Sequence, residues 1–304
     1  MKIFLEKMFF APQWYHYPLI VLLFPFSFIY GVGMWLRRMF AKQISFSVPI
    51  ISVGNLVVGG SGKTPFVIAL ASRFSDVAVI SRGYGRQSTG LLEVSHKGKV
   101  LVDVTSSGDE PMLMALALPH ASVIVSEERH SAIKLATTQG AKMIVLDDGF
   151  NRVDIEKFDI LLEPLEVKNY YTFPAGPFRE FMSTRKHADI IAKEGKSFTR
   201  IVHIENATAA MVLVTAISNP KRLDVYLPDT VVKKVYYDDH AYFDEEILQK
   251  ILNECKATSV LCTSKDSVKM QGFKLPISEM KLKLDIKNEI FTQVDAYVEG
   301  YNRA

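Results

Sequence analysis

An α/β fold with a parallel sheet and helices on both faces is predicted for this 304-residue chain by three observations. Short apolar runs alternate with helical stretches from residue 48 to about 162, the pattern of βαβ units. One of those runs, Val48 to Val53, leads into the glycine-rich segment Val53 to Pro65 (VGNLVVGGSGKTP) and then into an apolar stretch, Phe66 to Phe74. Strand, glycine loop and helix in that order make a phosphate cradle, so the sheet is expected to be P-loop NTPase-like. From about residue 209 the pattern restarts, which predicts a smaller C-terminal α/β domain. An N-terminal apolar membrane helix completes the expected layout: residues 1–42 membrane-associated, 43–208 nucleotide-binding, and 209–304 the smaller α/β domain.

Composition sets the bounds. At 48% hydrophobic the chain has ample material for a core,. A net charge of +3 without a long Lys/Arg block gives no electrostatic footprint for nucleic acid,. Cys255 and Cys262 are the two cysteines; with no cleavage pattern for secretion they fit a reducing compartment, not a disulfide framework,.

From Tyr17 to Leu36 there is no charge, and Arg37, Arg38 and Lys42 follow directly. That length matches about 30 Å of hydrocarbon, and Trp14, Tyr15, Tyr17 and Trp35 flank it as interfacial anchors do. Pro18, Pro25, Gly31 and Gly33 weaken a straight span, so a helix lying on the bilayer or packed internally stays open. The basic residues after the run place the rest of the chain on the cytoplasmic side.

In the glycine loop, Gly59, Gly60, Ser61 and Gly62 turn backbone N–H groups inward, Lys63 supplies a cation, and the Thr64 hydroxyl can hold Mg²⁺,. A strict G-x-x-x-x-G-K-[ST] loop needs glycine where Val57 stands. Next comes the strand Val77 to Ser81, ending in the Arg82-Gly83-Tyr84-Gly85-Arg86 loop, where arginines at a strand's end suit an anion. A hairpin over Leu91 to Val104 delivers Gly108-Asp109-Glu110-Pro111 to a helix expected from Met112. Asp109 there is a general base or a helix cap. Ala121 to Val125 is another strand, and Arg129 after it another anion candidate. Met143 to Leu146 ending in Asp147-Asp148 reads as a Walker B strand that brings a carboxylate toward Mg²⁺. Phe158 to Leu162 continues the sheet, Phe173 to Glu180 is a proline-glycine loop ending in Arg179-Glu180, and His187 to Lys193 is a last strand. Arg200 to Thr208 is the expected joining segment. Beyond it, strands are expected over Ala210 to Ala216, Val231 to Tyr236 and Ser259 to Thr263, with an amphipathic helix from Asp244 to Cys255.

Taken together, GNLVVGGSGKTP (Gly54 to Pro65), SRGYGR (Ser81 to Arg86), GDEP (Gly108 to Pro111), DDGF (Asp147 to Phe150), PAGPFRE (Pro174 to Glu180), ISNP (Ile217 to Pro220), DDH (Asp238 to His240) and SKD (Ser264 to Asp266) resemble the tetraacyldisaccharide 4'-kinase (lipid A 4'-kinase) family. The match runs in the family's order, and the absent glycine at Val57 is itself similar to the family's loop. Two positions depart: Asn151-Arg152 stand where the family usually has Gln-His, and Ala241 where a second histidine is common. Arg152 is therefore a phosphate contact and not a base, and His240 alone serves its motif.

The resemblance implies a kinase moving the ATP γ-phosphate to the 4'-hydroxyl of an acylated glucosamine disaccharide 1-phosphate, in lipid A and hence lipopolysaccharide biosynthesis at the inner membrane. Catalytic residues would be Asp109, His240 and Lys63, with His240 pairing with Asp109 so that residues 209–304 close over the nucleotide site. Nucleotide would be held by Gly59, Gly60, Ser61, Gly62, Lys63, Thr64 and Lys265. Mg²⁺ would fall to Thr64, Asp147, Asp148 and Glu180, and substrate phosphate to Arg82, Arg129, Arg152 and Arg179. No nucleic acid or obligate protein partner is expected. Two rivals stay open on the residues alone: a membrane-associated P-loop ATPase or GTPase that hydrolyses nucleotide, and a nucleotide-sensing module that leaves it intact.

Overall fold

The structure, a computed structural model, describes residues 2–59, 62–164 and 166–303. Its strands in chain order are β1 (Ile50–Gly54), β2 (Val77–Ser81), β3 (Leu92–His96), β4 (Lys99–Val100), β5 (Ser122–Val125), β6 (Met143–Asp147), β7 (Phe158–Glu163), β8 (Ile190–Lys193), β9 (Phe198–Glu205), β10 (Met211–Thr215), β11 (Val231–Tyr236), β12 (Ser259–Thr263) and β13 (Ile277–Ile286). Packing divides the chain into two compact units, residues 1–67, 141–199 and 286–304 in one, 68–140 and 200–285 in the other.

In the first unit β1 lies between β6 and β7, and β7 pairs with β8, all parallel. Every residue of β1 and β6 is buried, which is why those strands read as unbroken apolar runs and not as alternations,. The register sets Val53 opposite Asp147, so the aspartate stands at the carboxyl end beside the strand that enters the glycine loop. Gly54 is needed there. A Cβ on it would come 2.4 Å from Cβ of Phe150, so the glycine and DDGF segments pass each other only because one lacks a side chain,. Phe66, fully buried on the helix Lys63–Ala71, contributes about 1.5–3 kcal/mol by leaving water,.

The N-terminal apolar run is one helix, Tyr17–Phe40, preceded by a shorter one, Lys2–Phe10. Ile20, Ser27 and Gly31 form its buried side. Ser27 Oγ donates to the Thr172 carbonyl at 2.6 Å and the Thr172 hydroxyl donates back to the Ser27 carbonyl at 2.6 Å. The Phe181 ring fills the space over Gly31, where a Cβ would approach it to 2.5 Å. Arg38, near the helix's end, donates to both carboxylate oxygens of Glu180 at 2.9 and 3.2 Å. The other side is apolar and open: Val21, Leu22, Phe26 and Ile29 are 63–69% exposed.

In the second unit β2 and β5 are parallel, and β3 returns antiparallel to β5 and pairs with β4 as a hairpin. A five-stranded sheet follows in the order β11-β10-β12-β13-β9. Its helix Glu245–Cys255 is capped by the Asp244 carboxylate, which accepts from the Ile247 amide at 3.0 Å, and it seats Leu248 and Leu252 against Val212, Val214, Val260 and Cys262,.

Two expectations are corrected here, and the tail takes a defined form. The expected joining segment from Arg200 lies largely in β9, because Val202 and Ile204 alternate inward onto Leu213, Leu261 and Met280,. The helix expected from Met112 begins at Asp109; Pro111 sits in its first turn, where its missing N–H costs no helical bond,. The tail is a long strand, Ile277–Ile286, then a helix, Asn288–Arg303, whose Tyr297 ring packs 5.1 Å from that of Phe158.

Candidate active site

The glycine loop leaves β1 and enters the helix Lys63–Ala71, which puts Lys63 and Thr64 in the helix's first turn. Gly59 and Gly62 hold φ of +94° and +77°, which side-chain-bearing residues rarely adopt,. Gly60 and Ser61 lie outside the described residues. Lys63 Nζ donates to Asn55 Oδ1 at 3.1 Å and stands 3.4 Å from Asp148 Oδ1. Arg179 Nη1 donates to both Asp148 oxygens at 3.0 and 2.8 Å. Burial pushes the Asp148 carboxyl up, but the charges of Lys63 and Arg179 outweigh it and hold the group below its ordinary value,. Two cations thus share one carboxylate at the carboxyl end of a parallel sheet, where anions bind,.

The proposed metal ligands differ in what already occupies them. Both oxygens of Asp148 accept from Arg179, and both of Glu180 accept from Arg38. Asp147 is buried at the end of β6, and the Thr64 hydroxyl is buried in the loop helix. An oxygen-only donor set of this kind fits Mg²⁺, which binds through one or two carboxylates and keeps several waters.

A second cluster belongs entirely to the second unit. His240 Nδ1 lies 2.9 and 3.1 Å from the two oxygens of Asp109 and donates its proton there. The backbone at His240 is left-handed, φ +65°, and its amide donates to the Ala216 carbonyl at 3.1 Å, which fixes where the ring is carried. Tyr84, in the SRGYGR loop, places its ring 5.5 Å from the imidazole. Gly85 approaches the same ring closely enough that a Cβ would sit 3.5 Å from Nδ1. Lys265 Nζ is 3.6 Å from Asp109 Oδ2 and donates to Glu110 at 3.2 Å. Burial drives the Asp109 carboxyl up; the His240 bond, then Lys265 and Lys269, prevail and hold it below its ordinary value,.

Lys269 was not singled out from sequence. Its side chain is buried, its Nζ donates to the Ala241 carbonyl at 2.9 Å, and it lies 3.3 Å from Asp266 Oδ1 and 3.9 Å from Asp109 Oδ2. Asp266, fully buried, accepts in turn from the Thr215 hydroxyl at 2.6 Å and the Ala216 amide at 3.1 Å. The pair therefore braces both backbone segments that carry His240. No motif spacing announced Lys269, since it follows Ser267 and Val268 as any surface lysine might in sequence.

The expected anion-binding arginines are placed unequally. Arg179 is in the first cluster, and Arg82 is exposed. Arg152 donates to Asp154 at 3.0 Å. Arg129 is buried and donates to the carbonyls of Ser81 and Ser126, which makes it a brace between β2 and β5. Lys265 is turned to Asp109 and Glu110.

A parallel α/β sheet whose first strand feeds a glycine loop, lysine and threonine defines a P-loop-like phosphate-binding protein. Comparison with known proteins narrows the class. The family model described as tetraacyldisaccharide-1-P 4'-kinase matches residues 19–299, and the chain belongs to that family. It is 48% identical over 302 residues to the tetraacyldisaccharide 4'-kinase of Helicobacter pylori (strain J99), covering 99% of this chain and 96% of the relative. To the enzyme of the same name from Aliarcobacter butzleri it is 42% identical, with 98% of each chain covered. A crystal structure of LpxK from Aquifex aeolicus in complex with ATP superposes with a TM-score of 0.78 at 29% identity, covering 93% of this chain and 99% of that one.

Proposed function

We propose that the chain transfers the γ-phosphoryl group of ATP to the 4'-hydroxyl of a tetraacyldisaccharide 1-phosphate. The observation that carries this reading is the family match across residues 19–299, which takes in both charged clusters. The ATP held by the Aquifex aeolicus structure supports ATP as the donor here.

Phosphoryl transfer asks for positioning and charge stabilisation. Lys63 and the loop amides would hold β- and γ-oxygens, with Arg179 adding charge once Asp148 is shared among more partners. Mg²⁺ would be held by Thr64 and Asp147, with Asp148 joining if it releases a cation; when bound it neutralises charge on the phosphates. Asp109 takes the proton of the sugar hydroxyl. Its depressed basicity suits a loose transition state, in which that proton leaves only after the hydroxyl has become acidic. His240 orients the carboxylate. Arg82 and Arg152 are the arginines left for the substrate's own phosphate.

The helix Tyr17–Phe40 supports association with a bilayer at its cytoplasmic face. It lies within the one stretch among the described residues long and apolar enough to cross a membrane. With Ile20, Ser27, Gly31 and Arg38 tied to the protein body along its length, the helix would lie along the surface with its open side in the lipid,. A hollow lined by Ile20, Val21, Phe24 and Tyr171 opens beside it, suited to an acyl chain.

The test is incubation with γ-labelled ATP and the acylated disaccharide 1-phosphate. Label is expected in the lipid. Label released only as inorganic phosphate, at a rate indifferent to the lipid, would replace the kinase with a hydrolase.

A further inference from the structure

Asn55 follows the last residue of β1 and is 3% exposed. Its amide has a fixed orientation. Lys63 Nζ is a donor only, so the atom that meets it at 3.1 Å must be Oδ1,. That leaves Nδ2, with two N–H donors, on the other branch of the amide. Nδ2 is buried and has no acceptor among the described residues. A buried donor with no acceptor carries a desolvation penalty that nothing offsets, and native proteins keep few of them.

The surroundings point to what the missing acceptor is. The amide stands at the carboxyl end of β1, where the two cations Lys63 and Arg179 share the single carboxylate of Asp148. The unfilled donor and the two cations beside it therefore call for the same thing, an anion with several acceptor oxygens.

We propose that Asn55 is a nucleotide-phosphate ligand whose Nδ2 donates to a phosphate oxygen while its Oδ1 holds Lys63 against the same phosphate chain. The assignment rests on the nucleotide reading above and extends it to a residue given no role there. Chemistry explains why an amide is used. Aspartate would hold Lys63 more tightly but would bring a negative charge to the phosphates and supply no donor. Leucine would fill the space and orient nothing.

The experiment is calorimetric titration of ATP with Mg²⁺ into the full chain, wild type, Asn55→Asp and Asn55→Ala, alongside thermal unfolding of each protein without ligand. Asn55→Asp, which keeps the acceptor for Lys63, is expected to unfold cooperatively near the wild-type temperature and to lose ATP affinity by about 10- to 100-fold. Asn55→Ala should lose a similar factor. Variants that fold and bind ATP within about twofold of wild type would overturn the assignment and leave the amide to a buried water. A wild type that gives no heat with ATP would sink the nucleotide reading and this assignment with it, an outcome distinct from equal binding by all three.

Discussion

The two charged clusters are built on opposite principles. Around Lys63, two cations, Lys63 itself and Arg179, meet on one carboxylate, Asp148. Around Asp109, the carboxylate is the centre: His240, Lys265 and Lys269 approach it, while Glu110 and Asp266 balance the two lysines. The first arrangement is suited to receive an anion. The second keeps a buried carboxylate ionised and so ready to receive a proton. A kinase acting on a hydroxyl needs both, and the difference says which residue types can be exchanged within each. In the first cluster net charge and donors matter; in the second, the ionisation state of one group.

The sharpest way to break this contrast is at the centre of the second cluster. Asp109→Ala is expected to lower kcat by roughly 10² to 10⁴ while ATP affinity holds; near-normal turnover with the lipid acceptor would remove Asp109 from the chemistry. Lys63→Met should cost roughly 10² to 10³ in kcat and also weaken ATP binding, because the lost charge serves ground state and transition state together. Equal ATP affinity in wild type and Lys63→Met would mean the first cluster is not a phosphate site.

A smaller effect separates bracing from chemistry. In Lys269→Met, Asp109 loses a cation that helps hold it down, so its folded-state value rises and the acid limb of the pH profile of kcat moves to higher pH. The sign follows from linkage. A depressed carboxyl stabilises the fold fully above its unfolded value, about 3.9 for Asp, and that stabilisation is lost as pH falls through the folded value. Lys269→Arg, keeping the charge, should leave the limb near its wild-type place. A drop in kcat of equal size at all pH values in the Met variant would assign Lys269 to support of the fold alone.

The least expected effect on chemistry comes from the open side of the N-terminal helix. Substituting Leu22, Phe26 and Ile29 by serine should shift the protein from vesicles to the soluble fraction in a flotation assay, with turnover on detergent-dispersed lipid unchanged within about twofold. Retention on vesicles would place the anchor elsewhere.

Much of this was legible in sequence for a physical reason. The strand-loop-helix order around Lys63 and the aspartates ending β6 are local patterns, because a parallel strand buried on both faces must be an unbroken apolar run and its carboxyl end must carry the polar residues. The smaller α/β sheet announced itself the same way. The pairing of Asp109 with His240 was implied only through the family resemblance, since 131 positions separate them and no periodicity links them. Sequence alone did not show that Arg129 is a buried brace, that the segment after Phe198 is an edge strand, or that Lys269 supports the backbone around His240.

What the sequence determined by itself is therefore the chemistry available: a phosphate cradle, carboxylates at strand ends, and one long apolar helix. What the tertiary structure decided is which of those groups are already committed. Asp148 and Glu180 have the same carboxylate in sequence, yet one is shared by Lys63 and Arg179 and the other is tied to the N-terminal helix through Arg38. A side chain's type fixes what it can bind, whereas its charge state and remaining valences depend on neighbours brought from distant parts of the chain.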